Sequence, residues 1–163
     1  MKLLHSILFR IAIATIACVL FSCSIAGPRT TFHSFEFHVN WDSPDVELLD
    51  YRYGTSTQQG TFPPDWMLQP GRMAQSVATT GDMIVGDFLY VKWKIKETGE
   101  IFKDTVDLRN RLPRNLYDHK IYFVIRGSQL FVYLVTPDRS PPGAPSNGLR
   151  IYGSRIVKTL YPN

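Results

Sequence analysis

Residues 121–135 constrain the fold of this 163-residue chain more than any other stretch. Gly127-Ser128 lies between two runs, 121–126 and 129–135, that are apolar at nearly every position. A glycine-first two-residue loop suits a type II′ turn, whose twist matches the right-handed twist of the strands it joins. That turn sets the register: Ile121, Phe123 and Ile125 face Leu134, Val132 and Leu130, and the other side pairs Tyr122 with Tyr133 and Val124 with Phe131. Successive side chains of a strand alternate between faces, so one face of this hairpin is aliphatic and the other aromatic. The aliphatic face is core. The aromatic face is either covered by more chain or presented as a patch, and burial is the commoner outcome because large apolar patches are rare on monomers.

The remaining signals are also those of strands. Phe35, Phe37, Val39 and Trp41 alternate with Glu36, His38 and Asn40, which predicts one strand, and 46–53 predicts a second. Residues 54–71 are rich in Gly, Pro, Thr and Gln and read as a long loop with one helical turn near Asp65-Trp66. From 88 to 96, Leu89, Val91, Trp93 and Ile95 alternate with Tyr90, Lys92, Lys94 and Lys96. A following run, 101–108, is reached through Glu97-Thr98-Gly99, which predicts a hairpin closed between Lys96 and Glu100. That closure sets Lys92 opposite Asp104 and Trp93 opposite Lys103. Residues 137–148 carry four prolines and two glycines and read as loop; 149–161 supplies one or two closing strands, with Gly153 a candidate bulge. The expectation is an all-β domain, a β-sandwich or partly closed barrel of about seven or eight antiparallel strands.

The N-terminus carries a different signal. No acidic residue precedes Cys23; Lys2 and Arg10 lead into an uncharged run, 11–22. That order is a secretory signal, and the run is shorter than the roughly 20 apolar residues of a membrane-spanning helix. Leu20-Phe21-Ser22-Cys23 resembles the bacterial lipobox, with Phe21 bulkier than usual for its place. The expected organisation is a cleaved lipoprotein signal (1–22), a lipidated tether (23–31) beginning at Cys23, and a single β-rich domain (32–163). Loss of Lys2 and Arg10 leaves sixteen basic against fourteen acidic residues, a net charge of +2, which gives no argument for nucleic acid. Both cysteines, Cys18 and Cys23, precede the domain, so its core forms without an internal disulfide or a thiolate metal site.

Chemistry-bearing patterns are sparse. There is no Gly-x-Ser-x-Gly elbow, phosphate-binding loop or dinucleotide glycine fingerprint. His33 and His38, five apart, face opposite sides of one strand, and with His119 they make no zinc-ligand spacing. Asp42, Asp45, Glu47 and Asp50 lack the alternation and central glycine of a calcium loop. No metal, no cofactor and no catalytic set is expected. Arg109, Arg111 and Arg114 interleave with Leu108, Leu112 and Pro113, either as a solvated connection or as a basic loop for an acidic partner or lipid headgroups. Binding surfaces favour Trp, Tyr and Arg, which makes Trp66, Arg111, Arg114, Tyr122 and Tyr133 the candidate partner-binding residues.

Several segments resemble a family of small uncharacterised proteobacterial lipoproteins. They are Asp50-Tyr51-Arg52-Tyr53-Gly54, Tyr90-Val91-Lys92-Trp93-Lys94, Thr98-Gly99-Glu100, Asp104-Thr105-Val106-Asp107-Leu108, Arg111-Leu112-Pro113, Ile121-Tyr122-Phe123-Val124 and Tyr161-Pro162. Related lipoprotein families include immunity proteins that neutralise type VI secretion effectors in the periplasm. The resemblance implies an immunity-type protein; with the lipobox and the missing catalytic patterns, the expectation is a non-enzymatic, lipid-anchored, periplasm-facing binding domain with the membrane and an effector or envelope protein as partners. Ser24 is not the aspartate that retains many such proteins at the inner membrane, which points to the outer membrane. An envelope structural or assembly lipoprotein is the alternative, and a small hydrolase a third reading. No site residue carries over with the analogy.

Overall fold

The computed structural model describes residues 27–162. The signal segment 1–22, Cys23 and residues 24–26 of the tether therefore lie outside the described residues. Thr30 and Thr31, assigned above to the tether, already belong to the first strand, β1 (Thr30–His38).

Eight strands follow in two sheets. After β1 come β2 (Val46–Tyr53), β3 (Ser76–Ile84), β4 (Phe88–Ile95), β5 (Ile101–Asp107), β6 (Lys120–Arg126), β7 (Gln129–Arg139) and β8 (Arg155–Tyr161). One sheet has the order β3-β1-β6-β7-β8 and the other β2-β4-β5. Neither closes on itself, so the architecture is a sandwich and not a barrel. All pairings are antiparallel except β1 with β6, which run parallel because a long connection separates them in sequence.

The core fills the space between the sheets. Phe35 and Phe37 of β1, Ile121, Phe123 and Ile125 of β6, and Leu130, Val132 and Leu134 of β7 meet Tyr51, Tyr53, Leu89, Val91 and Trp93 from the smaller sheet. Phe35 stacks on Tyr53 with ring centroids 5.0 Å apart, and Phe37 on Phe123 at 4.7 Å. The Trp93 indole donates to the Gly127 carbonyl at 2.9 Å, tying the β6–β7 turn to the opposite sheet.

The β6–β7 hairpin has the register read from its sequence, with Ile121, Phe123 and Ile125 opposite Leu134, Val132 and Leu130. Gly127 has φ +57 and Ser128 is not among the positive-φ residues, as a type II′ turn requires. Both faces are covered. A second cluster of Tyr122, Val124, Tyr133, Val135 and Leu149 is buried outside the sheet beneath the chain that runs from β7 to β8.

Other expectations need correction. The first strand stops at His38, and Val39–Asp42 forms a helical turn, α1. The chain must leave one sheet for the other here, so Val39 stays in the core while Trp41 swings out to 62% exposure under the Arg150 guanidinium. The β4–β5 hairpin is one residue out of the expected register: Lys92 faces Lys103, and Trp93 faces Phe102 with its ring stacked at 5.9 Å. The loop has four residues, 96–99, because Ile95 pairs with Glu100 and the Gly99 amide donates to Ile95 at φ +74. Burial of the Trp93–Phe102 stack in place of a Trp93–Lys103 contact is the physical reason. Strand β3 carries no apolar alternation and was not expected; it is an edge strand whose main chain pairs only with β1. Pro137 lies inside β7, at a register shift between Val135 and Arg139, where a missing amide is tolerated. One closing strand forms, not two, and Gly153 belongs to the turn that precedes it.

Candidate functional site

The long loop between β2 and β3 presents two large apolar side chains, Trp66 and Leu68, to solvent. It leaves β2 at Gly54, which has φ +55 and where an added Cβ would lie 2.4 Å from the Gly86 Cα. Only glycine fits both the conformation and the approach. The loop then folds back on itself: the Tyr53 amide donates to the Thr61 carbonyl at 2.8 Å, and the buried Thr61 hydroxyl donates to the Gln58 carbonyl at 2.7 Å. The Thr79 hydroxyl of β3 donates to the Gln59 carbonyl at 2.8 Å and pins the loop against the sheet.

The segment 62–68 crosses this base. Pro63 and Pro64 restrict the backbone, and Pro64 precedes a 3₁₀ turn, Asp65–Leu68, closed by the Met67 amide on the Pro64 carbonyl at 2.9 Å. Trp66 is 57% and Leu68 48% exposed, on a segment with little backbone freedom. A cleft of about 500 Å³ opens on one side, lined by Tyr51, Phe62, Pro64, Trp66, Met67 and Val77, with Thr57, Gln59 and Ser76 as its polar groups. A smaller hollow of about 330 Å³ opens on the other side, between Asp50, Arg52, Asp65, Leu68 and Tyr90. The Arg52 guanidinium lies 5.3 Å over the Phe62 ring. Burial raises the Asp50 carboxyl above its ordinary value, against the opposing pull of the Tyr51 amide, Lys92 and Arg52. Burial also pushes the Tyr51 phenol up to about 12, so it is a neutral hydroxyl at physiological pH.

β2 reaches this site through a bulge. Its core residues shift phase, from Val46 and Leu48 to Tyr51 and Tyr53, because the register slips between Leu48 and Asp50. Gln75 holds the strand edge there: its amide group accepts from the Leu48 N–H at 2.8 Å and donates to the Leu48 carbonyl at 3.0 Å. The spacing of Val46, Leu48, Tyr51 and Tyr53 is the sequence signal that locates such a bulge.

The five candidate partner-binding residues do not converge. Trp66 lines the loop cleft. Tyr122 and Tyr133 are 1% and 8% exposed, so neither ring is accessible. Arg111 donates to the Leu160 carbonyl at 2.5 Å and stacks 5.9 Å over the Tyr161 ring, beside a separate hollow with Asn110 and Lys158. Arg114 is exposed in the loop before β6, and its carbonyl accepts from Arg29 at 2.7 Å. Leu68 and Phe62 belong to the Trp66 surface and were not singled out; an exposed leucine has no sequence signature.

A second polar arrangement was also missed. Beneath the 140–152 segment, Glu36 is 6% exposed and accepts from Lys120 at 2.9 Å and from the Tyr152 hydroxyl. Asp42 accepts from Arg150 at 2.9 Å and from the Tyr122 hydroxyl. Each buried carboxylate is thus held by one cation and one phenol, and Asn147 braces the segment by donating to the Tyr152 carbonyl at 2.7 Å. These contacts strap the connection onto the sheet; nothing in them forms a reacting pair. His38 Nδ1 and Ser76 Oγ lie 2.6 Å apart as cross-strand neighbours, with no carboxylate hydrogen-bonded to His38 among the described residues. His33 is fully buried, Nδ1 donating to the Thr31 carbonyl at 2.8 Å and Nε2 3.0 Å from the Tyr53 hydroxyl.

Among the described residues no three His, Cys, Asp or Glu side chains are grouped to hold a metal ion, and no helix is long and apolar enough to cross a membrane. Compared with protein-family models, curated proteins and solved structures, the chain matches none.

Proposed function

We propose that the chain is a lipid-anchored, periplasm-facing binding domain of the bacterial outer membrane, of the immunity type that blocks a toxic secreted effector. One observation carries the binding role: Trp66 and Leu68 stand in solvent on a proline-braced turn beside an apolar cleft. Large apolar side chains held rigidly in solvent lose little entropy on contact and gain by desolvation, which is the physics of an interface hot spot. The anchor rests on the signal order and on Leu20-Phe21-Ser22-Cys23.

Two experiments test the two halves. Metabolic labelling with palmitate tests the anchor: wild type takes up label, Cys23→Ser does not and leaves the membrane, and a mutant still anchored ends the lipoprotein reading. Co-expression with the product of the neighbouring gene, directed to the periplasm, tests immunity. Wild type protects the cells and Trp66→Ala does not, the variant losing about 2 kcal/mol or more of binding while its stability stays within about 0.5 kcal/mol. Failure of the wild type to protect against any neighbouring product puts an envelope assembly role ahead.

A further inference from the structure

We propose that the end of the sandwich where β1 begins is a phospholipid-docking surface, with the Phe32 and Tyr117 rings at the interface and the Arg29 and Arg114 guanidinium groups against headgroup phosphates. The proposal rests on the reading of Cys23 as the lipid-bearing residue.

Phe32 is 36% and Tyr117 62% exposed, and their ring centroids lie 5.8 Å apart although they come from β1 and from the loop before β6. The pairing is fixed by backbone, the Asp118 amide donating to the Phe32 carbonyl at 3.0 Å. Arg29 holds the same loop from the other side, its guanidinium donating to the Pro113 carbonyl at 3.1 Å and the Arg114 carbonyl at 2.7 Å. Its own carbonyl accepts from the Val85 amide at 2.8 Å. The point where the chain joins the domain is therefore tied to the aromatic pair and to Arg114.

The reach of the chain selects the membrane as the occupant. Cys23 and Arg29 are six residues apart, at most roughly 20 Å when fully extended. The nine residues of β1 span about 30 Å, so an acylated Cys23 confines this end of the sandwich to within roughly 20 Å of the headgroups, whereas the far end is free to lie about 50 Å away. A ring pair and two guanidinium groups are the side chains that settle at a bilayer interface, the rings at headgroup level and the cations on phosphate. Asp82, opposite Phe32 in the register, and Asp118 lie on the same end. Recognition is thus by local aromatic and phosphate contacts and not by net positive charge, and either a zwitterionic or an anionic phospholipid fits.

Position-specific quenching tests this. Cysteine occurs only at 18 and 23, so an introduced cysteine is the one free thiol of the processed, acylated protein. Asn115→Cys marks the proposed surface and Thr98→Cys the hairpin tip at the other end of the sandwich. Each labelled, lipidated protein is reconstituted in vesicles of phosphatidylethanolamine and phosphatidylglycerol carrying a headgroup-attached quencher. The expected result is loss of fluorescence at 115 and none at 98, with the loss at 115 abolished in Phe32→Ser/Tyr117→Ser while that variant still floats with the vesicles. Vesicle-bound protein with equal quenching at both positions, or none at either, overturns the docking surface and leaves the anchor standing. Protein that does not float at all overturns both. Shielding of position 115 in intact envelopes without quenching in vesicles gives the surface to a protein partner and overturns the proposal.

Discussion

At the scale of single residues, two buried groups carry most of the testable physics. His33 has no access to solvent, and its Nδ1 faces a carbonyl, which only accepts, so the ring is neutral with its proton on Nδ1, and Nε2 accepts a hydrogen bond from the Tyr53 hydroxyl. Desolvation lowers its pKa most, the nearby Arg29 lowers it further, and the Thr31 carbonyl opposes both. The unfolded chain titrates near the ordinary value of about 6.5 and binds the proton the folded ring refuses. Stability is therefore full above that value and declines as pH falls toward the lower folded value. Unfolding of His33→Phe in denaturant should show a flatter pH dependence between neutrality and mild acid than wild type; identical slopes would remove His33 as the cause. Phe123 is 1% exposed and stacked on Phe37, so Phe123→Ala should cost about 3–5 kcal/mol in equilibrium unfolding through lost burial and a cavity. A cost under about 1 kcal/mol would place the ring outside the core.

At the scale of elements, the β4–β5 hairpin separates what turn residues specify from what packing decides. Gly99 marks a turn, yet a three-residue and a four-residue loop use the same glycine and differ by one step in every pair. Packing selects the second, because it joins Trp93 to Phe102, and the result is Lys92 directly opposite Lys103. Like charges across a pair are unfavourable, by roughly the 0.2–1 kcal/mol that an opposite pair contributes. Lys103→Glu should accordingly raise the melting temperature, and more at low salt than at high. A lowered temperature is what the other register predicts, since there the introduced carboxylate would sit against the Trp93 ring. The edge strand β3 is legible in the fold and not in the sequence for a related reason: its side chains are mostly exposed or half-buried, so only its main-chain bonds to β1 define it.

At the scale of the whole molecule, stability comes from a core shared between sheets and from two carboxylates buried beneath the 140–152 segment, with no cysteine in the described chain to cross-link it. Melting curves with and without a strong chelator should coincide, because no three ligand-type side chains gather among the described residues. A chelator-dependent fall would point to a metal held by Asp42, Asp45, Glu47 or Asp50. The binding surface is a property of this scale as well. Trp66 was legible as an unusual residue in a Pro/Gly-rich loop, but the loop's attachment to β3 and the cleft beside it arise only when residues 59 and 79 meet.

The sequence by itself determined the β class, the β6–β7 register and the position of the long loop, because alternation, Gly127-Ser128 and proline-glycine clusters act on their immediate neighbours. The faces of Tyr122 and Tyr133, the helical turn at Val39–Asp42 and the parallel pairing of β1 with β6 were decided by the tertiary structure. Each depends on groups far apart in the chain: Tyr122 reaches Asp42 across eighty residues, and Tyr152 reaches Glu36 across 116. A strand's own pattern says which of its faces is apolar. Whether the second face is solvent or a covered layer depends on where a distant segment lies down, and here buried carboxylates hold that segment in place.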